Sequence, residues 1–140
     1  MAMIAAVVDG QGGGIGSAII QILRERLGLA TEVWALGTNA VATTRMMHAG
    51  ANKGVTGEKA LIKRVGRAQV VLGTISIILA NSFMGEMTAA MTAAVARSPA
   101  LKILLPVTQE AVEVIGANKQ PLPHHVEAMM QRLMEEQPNV

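Results

Sequence analysis

The chain has 140 residues, of which 51% are hydrophobic and 16% charged, and its formal net charge is +2. This length suits one domain, residues 1–140, and the apolar content excludes a disordered chain. The small, scattered charge argues against a nucleic-acid partner, since the one tight basic group, Lys63, Arg64 and Arg67, is typical of a solvated helix face. The absence of cysteine excludes disulfides, thiolate metal sites and cysteine nucleophiles.

The mean hydropathy of +0.38 raises the question of a membrane protein. However, the longest apolar stretch, residues 70–80, is shorter than the ~20 residues of a membrane span. The first residues lead into an apolar strand without the basic region and cleavage site of a signal peptide. We therefore expect a cytoplasmic protein with no membrane partner.

Apolar runs and helical patterns alternate along the chain, and glycine or proline ends most helical segments. Continuous apolar runs of this length are typical of strands buried on both faces. In chain order the sequence predicts a strand at 3–8, a helix at 17–28, a strand at 31–37, a helix at 39–51, a strand at 53–55, a helix at 57–68, a strand at 69–73, an apolar loop or helix start at 75–80, a helix at 82–98, a strand at 101–107, a candidate strand at 112–116 and a helix at 123–137. This alternation predicts an α/β fold, a Rossmann-like three-layer sandwich with a mainly parallel sheet of five to six strands.

A glycine-rich loop, DGQGGGIGSA at residues 9–18, joins the first predicted strand to the first helix. A helix that begins after such a loop presents backbone N–H groups at the carboxyl edge of the sheet, where anionic ligands bind in doubly wound folds. Glycine lets a phosphate approach the backbone closely. We therefore predict that a nucleotide binds through its phosphates to Gly10, Gln11, Gly12, Gly13, Gly14, Ile15 and Gly16. The alternative is a tight turn that only packs the helix against the sheet.

The spacing Gly10-x-x-x-Gly14-x-Gly16 resembles the glycine loop of short-chain dehydrogenases, which implies NAD or NADP as the cofactor. The chain has no tyrosine, so the tyrosine-dependent reaction of that family is excluded. The loop is also similar to a deviant Walker sequence. Ser17 and Ala18 stand where that motif needs its lysine and its magnesium-binding hydroxyl, which argues against a P-loop ATPase.

Residues on either side of the loop extend the predicted site. Asp9 directly precedes it and has three candidate roles: a ribose ligand, a metal ligand, or a brace that accepts the loop's own N–H groups, which we favour. Thr38 and Asn39 follow the second strand, where dinucleotide sites often carry a carboxylate for the adenosine ribose. Because both are neutral and Arg45 is nearby, they favour NADP; alternatively, Asn39 only caps its helix.

The segment after strand 69–73 should face the glycine loop across the same edge of the sheet. It adds Gly73, Thr74 and Asn81 to the predicted binding residues. Asn81 or Ser82 is a candidate cap for helix 82–98, and Glu86 would then lie in its first turn, where the helix dipole favours a carboxylate. Glu58 opens the previous helix in the same way, so both glutamates are either capping residues or candidate acids and bases.

Five segments, DGQGGGIG, GTNAVAT, TGEKALI, GTISIILANSFMGEMT and KILLPV, together resemble the bacterial family known as domain of unknown function 3842. The resemblance spans nearly the whole chain. It implies a Rossmann-like fold in a stand-alone protein and brings no reaction with it. Whether the protein is an enzyme is therefore left open, with a ligand-sensing or scaffold homodimer and a Rossmann remnant that binds nothing as alternatives.

Helix 82–98 also bears on assembly. Gly85, Ala89 and Ala93 recur at four-residue spacing, and Met84, Met87 and Met91 form a neighbouring stripe. A helix that is apolar or small nearly all round is buried on more than one side, so we predict a homodimer through this helix. The alternative is a central helix covered by helix 123–137. His48 is isolated and His124 and His125 are adjacent, diverging by ~100° on a helix, so no metal site is predicted.

Overall fold

The computed structural model describes residues 3–136, in which strands and helices alternate as predicted. The strands are β1 Ile4–Asp9, β2 Glu32–Gly37, β3 Lys53–Thr56, β4 Val70–Thr74 and β5 Leu101–Leu105. The helices are α1 Gly14–Leu27, α2 Ala40–His48, α3 Glu58–Val65, α4 Ala89–Arg97 and α5 Leu122–Glu136, with a 3₁₀ helix at Ile75–Ile78. Gln137, the last residue of the predicted helix 123–137, lies outside the described residues.

The five strands form one parallel sheet in the order β3-β2-β1-β4-β5. This confirms the predicted Rossmann-like α/β fold with five strands; residues 112–116, the candidate strand, form none. The chain runs from β1 outward through β2 and β3, and then crosses back to β4 on the other side of β1. The carboxyl ends of β1 and β4 therefore border the point where strand order reverses, the usual place of a ligand crevice in such folds.

Two apolar layers enclose the sheet, which explains why its strands read as continuous apolar runs. Side chains of a strand alternate between faces, so Val7 points to one layer and Val8 to the other. Helices α1, α2 and α5 cover the first face, and α3, α4 and the 3₁₀ helix cover the second. No helix among the described residues is long and apolar enough to cross a membrane.

The helix predicted at 82–98 begins only at Ala89. Residues 82–88 instead form a turn closed by a bridge between Ser82 and Met87. Phe83 and Met84, both with φ 54°, and Gly85, with φ 90°, have left-handed backbones that no right-handed helix can contain. Thr88 is the true cap, since its side chain accepts the Met91 amide at 3.2 Å. The predicted capping roles of Asn81 and Ser82 and the helical position of Glu86 are therefore wrong.

The methionine stripe on which the dimer prediction rested is divided in the structure. Met87 and Met91 are buried in the second apolar layer, whereas Met84 is exposed in the turn. Helix α4 packs beside α3 on the face opposite α5, so the alternative of a cover by helix 123–137 is wrong as well. The exposed residues of α4 are small except at its end: Ala89, Ala90 and Ala96, followed by Arg97.

Other helix starts bear directly on the site. Helix α1 begins at Gly14, not at residue 17, so that Gly14 and Gly16 lie in its first turn, after Gly13 at φ 71°. Asn39 caps α2 as predicted, accepting the Ala42 amide at 2.9 Å. The cap position of α3 is Gly57, and the preceding Thr56 donates its hydroxyl to Thr43 at 2.8 Å.

Candidate functional site

The side chain of Asp9 holds the glycine loop through two hydrogen bonds. Its carboxylate accepts the Gly10 amide at 2.8 Å and the Gly16 amide at 2.7 Å, one on each oxygen. This confirms the favoured of its three predicted roles. Burial raises the pKa of the Asp9 carboxyl, while the bonds from Gly16 and Gly10 and the charge of Arg45 act in the opposite direction. Among the described residues, no group of three histidines or carboxylates is placed to hold a metal ion.

Internal packing requires glycine at three positions of the loop. A Cβ atom on Gly10 would lie 2.6 Å from Thr38 Oγ1, one on Gly13 would lie 2.8 Å from the Ala42 backbone, and one on Gly16 would lie 2.6 Å from Met46 Sδ. Gly13 also has the left-handed φ that glycine adopts without strain. The tight-turn interpretation therefore accounts for Gly10, Gly13 and Gly16 without any ligand.

Gly12 and Gly14 differ from these three because nothing in the fold requires them. Both are exposed. A Cβ atom on Gly12 would meet only Arg45 Nη1, at 3.9 Å, and one on Gly14 would meet only the same guanidinium, at 3.5 Å from Nη1. Neither has a φ in the left-handed range. A side chain would fit at both positions, so the tight-turn interpretation does not explain these two glycines.

The start of α1 offers unused hydrogen-bond donors beside these glycines. The helix has no side-chain cap, and within the described residues the amides of Gly14 and Ile15 donate to no other group. Arg45, from α2, lies across the loop, and its Nη1 donates to the Gly12 carbonyl at 3.4 Å. Two free amides, the positive end of a 14-residue helix and a guanidinium therefore converge on the exposed side of the loop.

A cleft of about 230 Å³ opens next to the loop at the carboxyl ends of β1, β4 and β5. Its opposite wall carries hydroxyl groups, among them Ser76 and Thr108, whose oxygens lie 2.8 Å apart. The lining residues are Asp9, Gly10, Gln11, Gly12, Gly13, Gly14, Ile15, Thr74, Ser76, Phe83, Val107, Thr108, Gln109 and Glu110. The structure thus brings Asp9, the loop from Gly10 to Ile15 and Thr74 together in one cleft.

Five predicted residues lie outside the cleft lining. Gly16 is buried, and Gly73 lies against the Val8 carbonyl and Ile77, so its lack of a side chain serves packing. Asn81 lies in the turn before α4, where its amide donates to the Met87 carbonyl at 2.7 Å. Thr38 and Asn39 follow β2, outside the cleft lining, and both donate to Glu86.

Glu86 is the residue whose position the sequence missed most clearly. Its Oε1 atom accepts the Gln11 amide at 2.8 Å, the Thr38 hydroxyl at 2.6 Å and the Asn39 side-chain amide at 2.9 Å. Burial raises the pKa of the Glu86 carboxyl, but the three hydrogen bonds outweigh it and the pKa is lowered. Thr38 and Asn39 are themselves neutral, but the turn before α4 brings the Glu86 carboxylate to them, which removes the reason for favouring NADP.

The lowered pKa makes the contribution of Glu86 to stability dependent on pH. Ionised Glu86 stabilises the fold above its ordinary pKa of 4.5, and this contribution is lost as the pH falls through the lower pKa of the folded state. We expect the wild type to be more stable than Glu86→Gln at neutral pH and the difference to disappear in acid. Urea unfolding near pH 7 and near pH 3 measures it, with the exposed Glu25→Gln as control. An equal difference at both pH values would contradict the assignment.

Other residues of the site carried weak or no sequence signals. Ser76 lies in the 3₁₀ helix after β4, and Thr108 and Glu110 lie in the segment after β5. Their approach to the glycine loop depends on strand order. Glu58, by contrast, is not part of the cleft: its carboxylate accepts the Thr88 hydroxyl at 2.6 Å, beside the start of α4.

Similarity to known proteins identifies the family to which the chain belongs. Among solved structures, the chain is similar to a dodecameric FMN-dependent Ubix-like decarboxylase from Escherichia coli O157:H7, at 12% identity over 96% of this chain and 92% of that one. The TM-score of 0.43 is too low to carry an argument about ligand or assembly, and nothing in it supports NAD or NADP. No curated protein matches the chain. Residues 4–138 match the family described as Domain of unknown function (DUF3842), so the chain belongs to that family, as its motifs indicated.

Proposed function

We propose that the protein binds a nucleotide through a phosphate group seated on residues 12–15 of the glycine loop. The observation that carries this proposal is the pair of exposed glycines, Gly12 and Gly14, which packing does not require. Gly14 is the first residue of α1, and a Cβ atom there would meet only the end of the Arg45 side chain. A ligand that must approach the backbone closely accounts for glycine at both positions.

The donors around these glycines fit a phosphate. Its oxygens would accept the free amides of Gly14 and Ile15, and the dipole of α1 favours a negative charge at this end of the helix. Arg45 adds a formal positive charge on the same side. The negative charge of the Asp9 carboxylate is partly offset, because each of its oxygens already accepts a backbone amide.

The alternatives differ in what they leave unexplained. A Rossmann remnant that binds nothing accounts for Gly10, Gly13 and Gly16 but not for Gly12 and Gly14. A sensor and an enzyme would use the same phosphate site. The cleft beside that site contains hydroxyl groups and Glu110, and we propose binding without assigning a reaction to them. The sequence leads us to expect NAD or NADP, so both are among the nucleotides to be tested for binding.

Calorimetric titration of the wild type with AMP, FMN, NAD⁺ and NADP⁺ tests the proposal. We expect saturable binding of at least one of them. Arg45→Gln should weaken that binding about tenfold, because one charge-assisted contact to the phosphate is lost. Arg97→Gln, at the far end of α4, removes the same charge away from the cleft and should leave the affinity unchanged. Absence of heat with all four compounds would refute nucleotide binding.

We also propose a homodimer, now through the exposed small-residue face of α4. Ala89 and Ala90 leave this face flat enough for the close approach of a second copy. Light scattering at micromolar concentration should give twice the chain mass of 14.7 kDa. Ala90→Arg should return the mass to that of one chain, whereas Gln21→Arg on α1 should not. A wild-type mass of 14.7 kDa would contradict the dimer.

A further inference from the structure

The turn of residues 81–88 lies on the half of the sheet edge that a dinucleotide would need for its second nucleotide. In dinucleotide-binding folds the adenosine ribose lies at the end of the second strand. In this chain Thr38 and Asn39 follow that strand. Glu86 accepts hydrogen bonds from both of their side chains and from the Gln11 amide. All three donors converge on a single oxygen, so a ribose or a phosphate could use them only by displacing Glu86.

The Phe83 ring lies against Gly10, beside the same region. A Cβ atom on Gly10 would lie 2.8 Å from the Phe83 ring and 2.6 Å from Thr38 Oγ1, so the ring leaves no room for even a methyl group there. Phe83 also lines the open cleft. Its ring therefore separates the cleft beside residues 12–15 from the region at the end of β2.

The turn is held firmly in this position. The Asn81 amide donates to the Met87 carbonyl at 2.7 Å, the Met87 amide donates back to the Ser82 carbonyl at 3.1 Å, and the Met87 side chain is fully buried. Asn81, Phe83 and Met84 all have left-handed backbones, a conformation that non-glycine residues keep only where the surrounding contacts enforce it. A bound dinucleotide would have to break this arrangement as well as the contacts of Glu86.

We propose that Glu86 and Phe83 determine ligand size, restricting the protein to mononucleotides by occupying the place of the second nucleotide. This inference rests on the proposed nucleotide binding at residues 12–15.

Two matched ligand pairs test the restriction by calorimetry: AMP against NAD⁺, and FMN against FAD, each dinucleotide containing its mononucleotide as one half. We expect the wild type to bind the mononucleotide of at least one pair at least tenfold more tightly than the dinucleotide. The measured quantity is the dissociation constant of the dinucleotide divided by that of the mononucleotide. Glu86→Ala, which frees the three donors, should reduce this ratio at least fivefold.

Phe83→Gly gives a second, independent opening of the same region. It removes the ring, and glycine suits the φ of 54° at this position, so the backbone of the turn can be kept. Because the ring also packs against the second apolar layer, circular dichroism and urea unfolding must first show that the variant is folded. Phe83→Gly should also reduce the ratio of the dinucleotide to the mononucleotide dissociation constant at least fivefold. Met84→Gly is the matched control, since Met84 has the same φ and is 88% exposed; it should keep the wild-type ratio.

The outcomes separate this inference from the proposed function. If the wild type binds NAD⁺ and FAD as tightly as AMP and FMN, the size restriction is overturned and nucleotide binding stands. If the wild type selects the mononucleotides but neither variant changes the ratio, the assignment to Glu86 and Phe83 is overturned. If none of the four compounds binds to the wild type, the proposed function and the restriction fall together.

Discussion

The Gly14→Val variant is expected to lose nucleotide binding, by at least about a hundredfold in affinity, while it keeps its fold. The branched side chain would stand in front of the free amides of Gly14 and Ile15, where the phosphate is proposed to lie. The fold tolerates it because a Cβ atom at this position meets only the flexible end of Arg45, at 3.5 Å. Calorimetry with whichever mononucleotide binds the wild type measures the loss.

Gly66→Val is the matched control for this substitution. Gly66 is exposed and has a right-handed backbone, and a Cβ atom on it meets nothing within 4 Å. It lies at the end of α3, away from the cleft. Both variants should show the circular dichroism and urea midpoint of a folded protein, and only Gly14→Val should lose the ligand. Wild-type affinity in Gly14→Val would remove residues 12–15 from the site.

The Asp9→Ala variant is expected to reduce the free energy of unfolding by about 2 kcal/mol. It leaves the Gly10 and Gly16 amides without their acceptor, and each unsatisfied buried donor costs about 1–3 kcal/mol. Part of that cost is offset because the variant no longer buries a carboxyl group, the burial that raises the pKa of Asp9. Urea unfolding at neutral pH measures the difference.

Asp9→Asn distinguishes lost hydrogen bonds from lost volume or charge. Asparagine keeps one acceptor oxygen, so it can hold one of the two amides, whereas its NH₂ group cannot accept the other. Its stability should therefore fall between those of the wild type and Asp9→Ala. If Asp9→Asn and Asp9→Ala are equally stable, the carboxylate does not brace the loop through these bonds.

Local sequence patterns were sufficient for the fold and for the outline of the loop. The apolar run of β1 predicts a strand buried on both faces because both faces of the sheet are covered, and the α/β alternation predicts a parallel sheet without fixing its strand order. The role of Asn39 as a helix cap and that of Asp9 as a brace were also predictable. Each depends on partners within seven residues along the chain.

The sequence patterns gave wrong predictions where neighbouring residues override a local preference for helix. Residues 82–98 contain enough alanine and methionine to predict one long helix, but Gly85 and its left-handed neighbours postpone the start to Ala89. The methionine stripe was then assigned to a surface, although Met87 and Met91 belong to the core. Periodicity alone cannot show which apolar face meets the sheet and which meets solvent.

The role of Glu86 was decided only by the tertiary structure. Its three partners lie 75, 48 and 47 residues away along the chain, on segments that meet only because β1 and β2 end at the same edge of the sheet. The same is true of the glycines. The sequence by itself determined that a glycine loop joins β1 to α1. Contacts with Thr38, Ala42 and Met46 decided which glycines serve packing, and the open space around Gly12 and Gly14 shows that packing does not require glycine at those two positions.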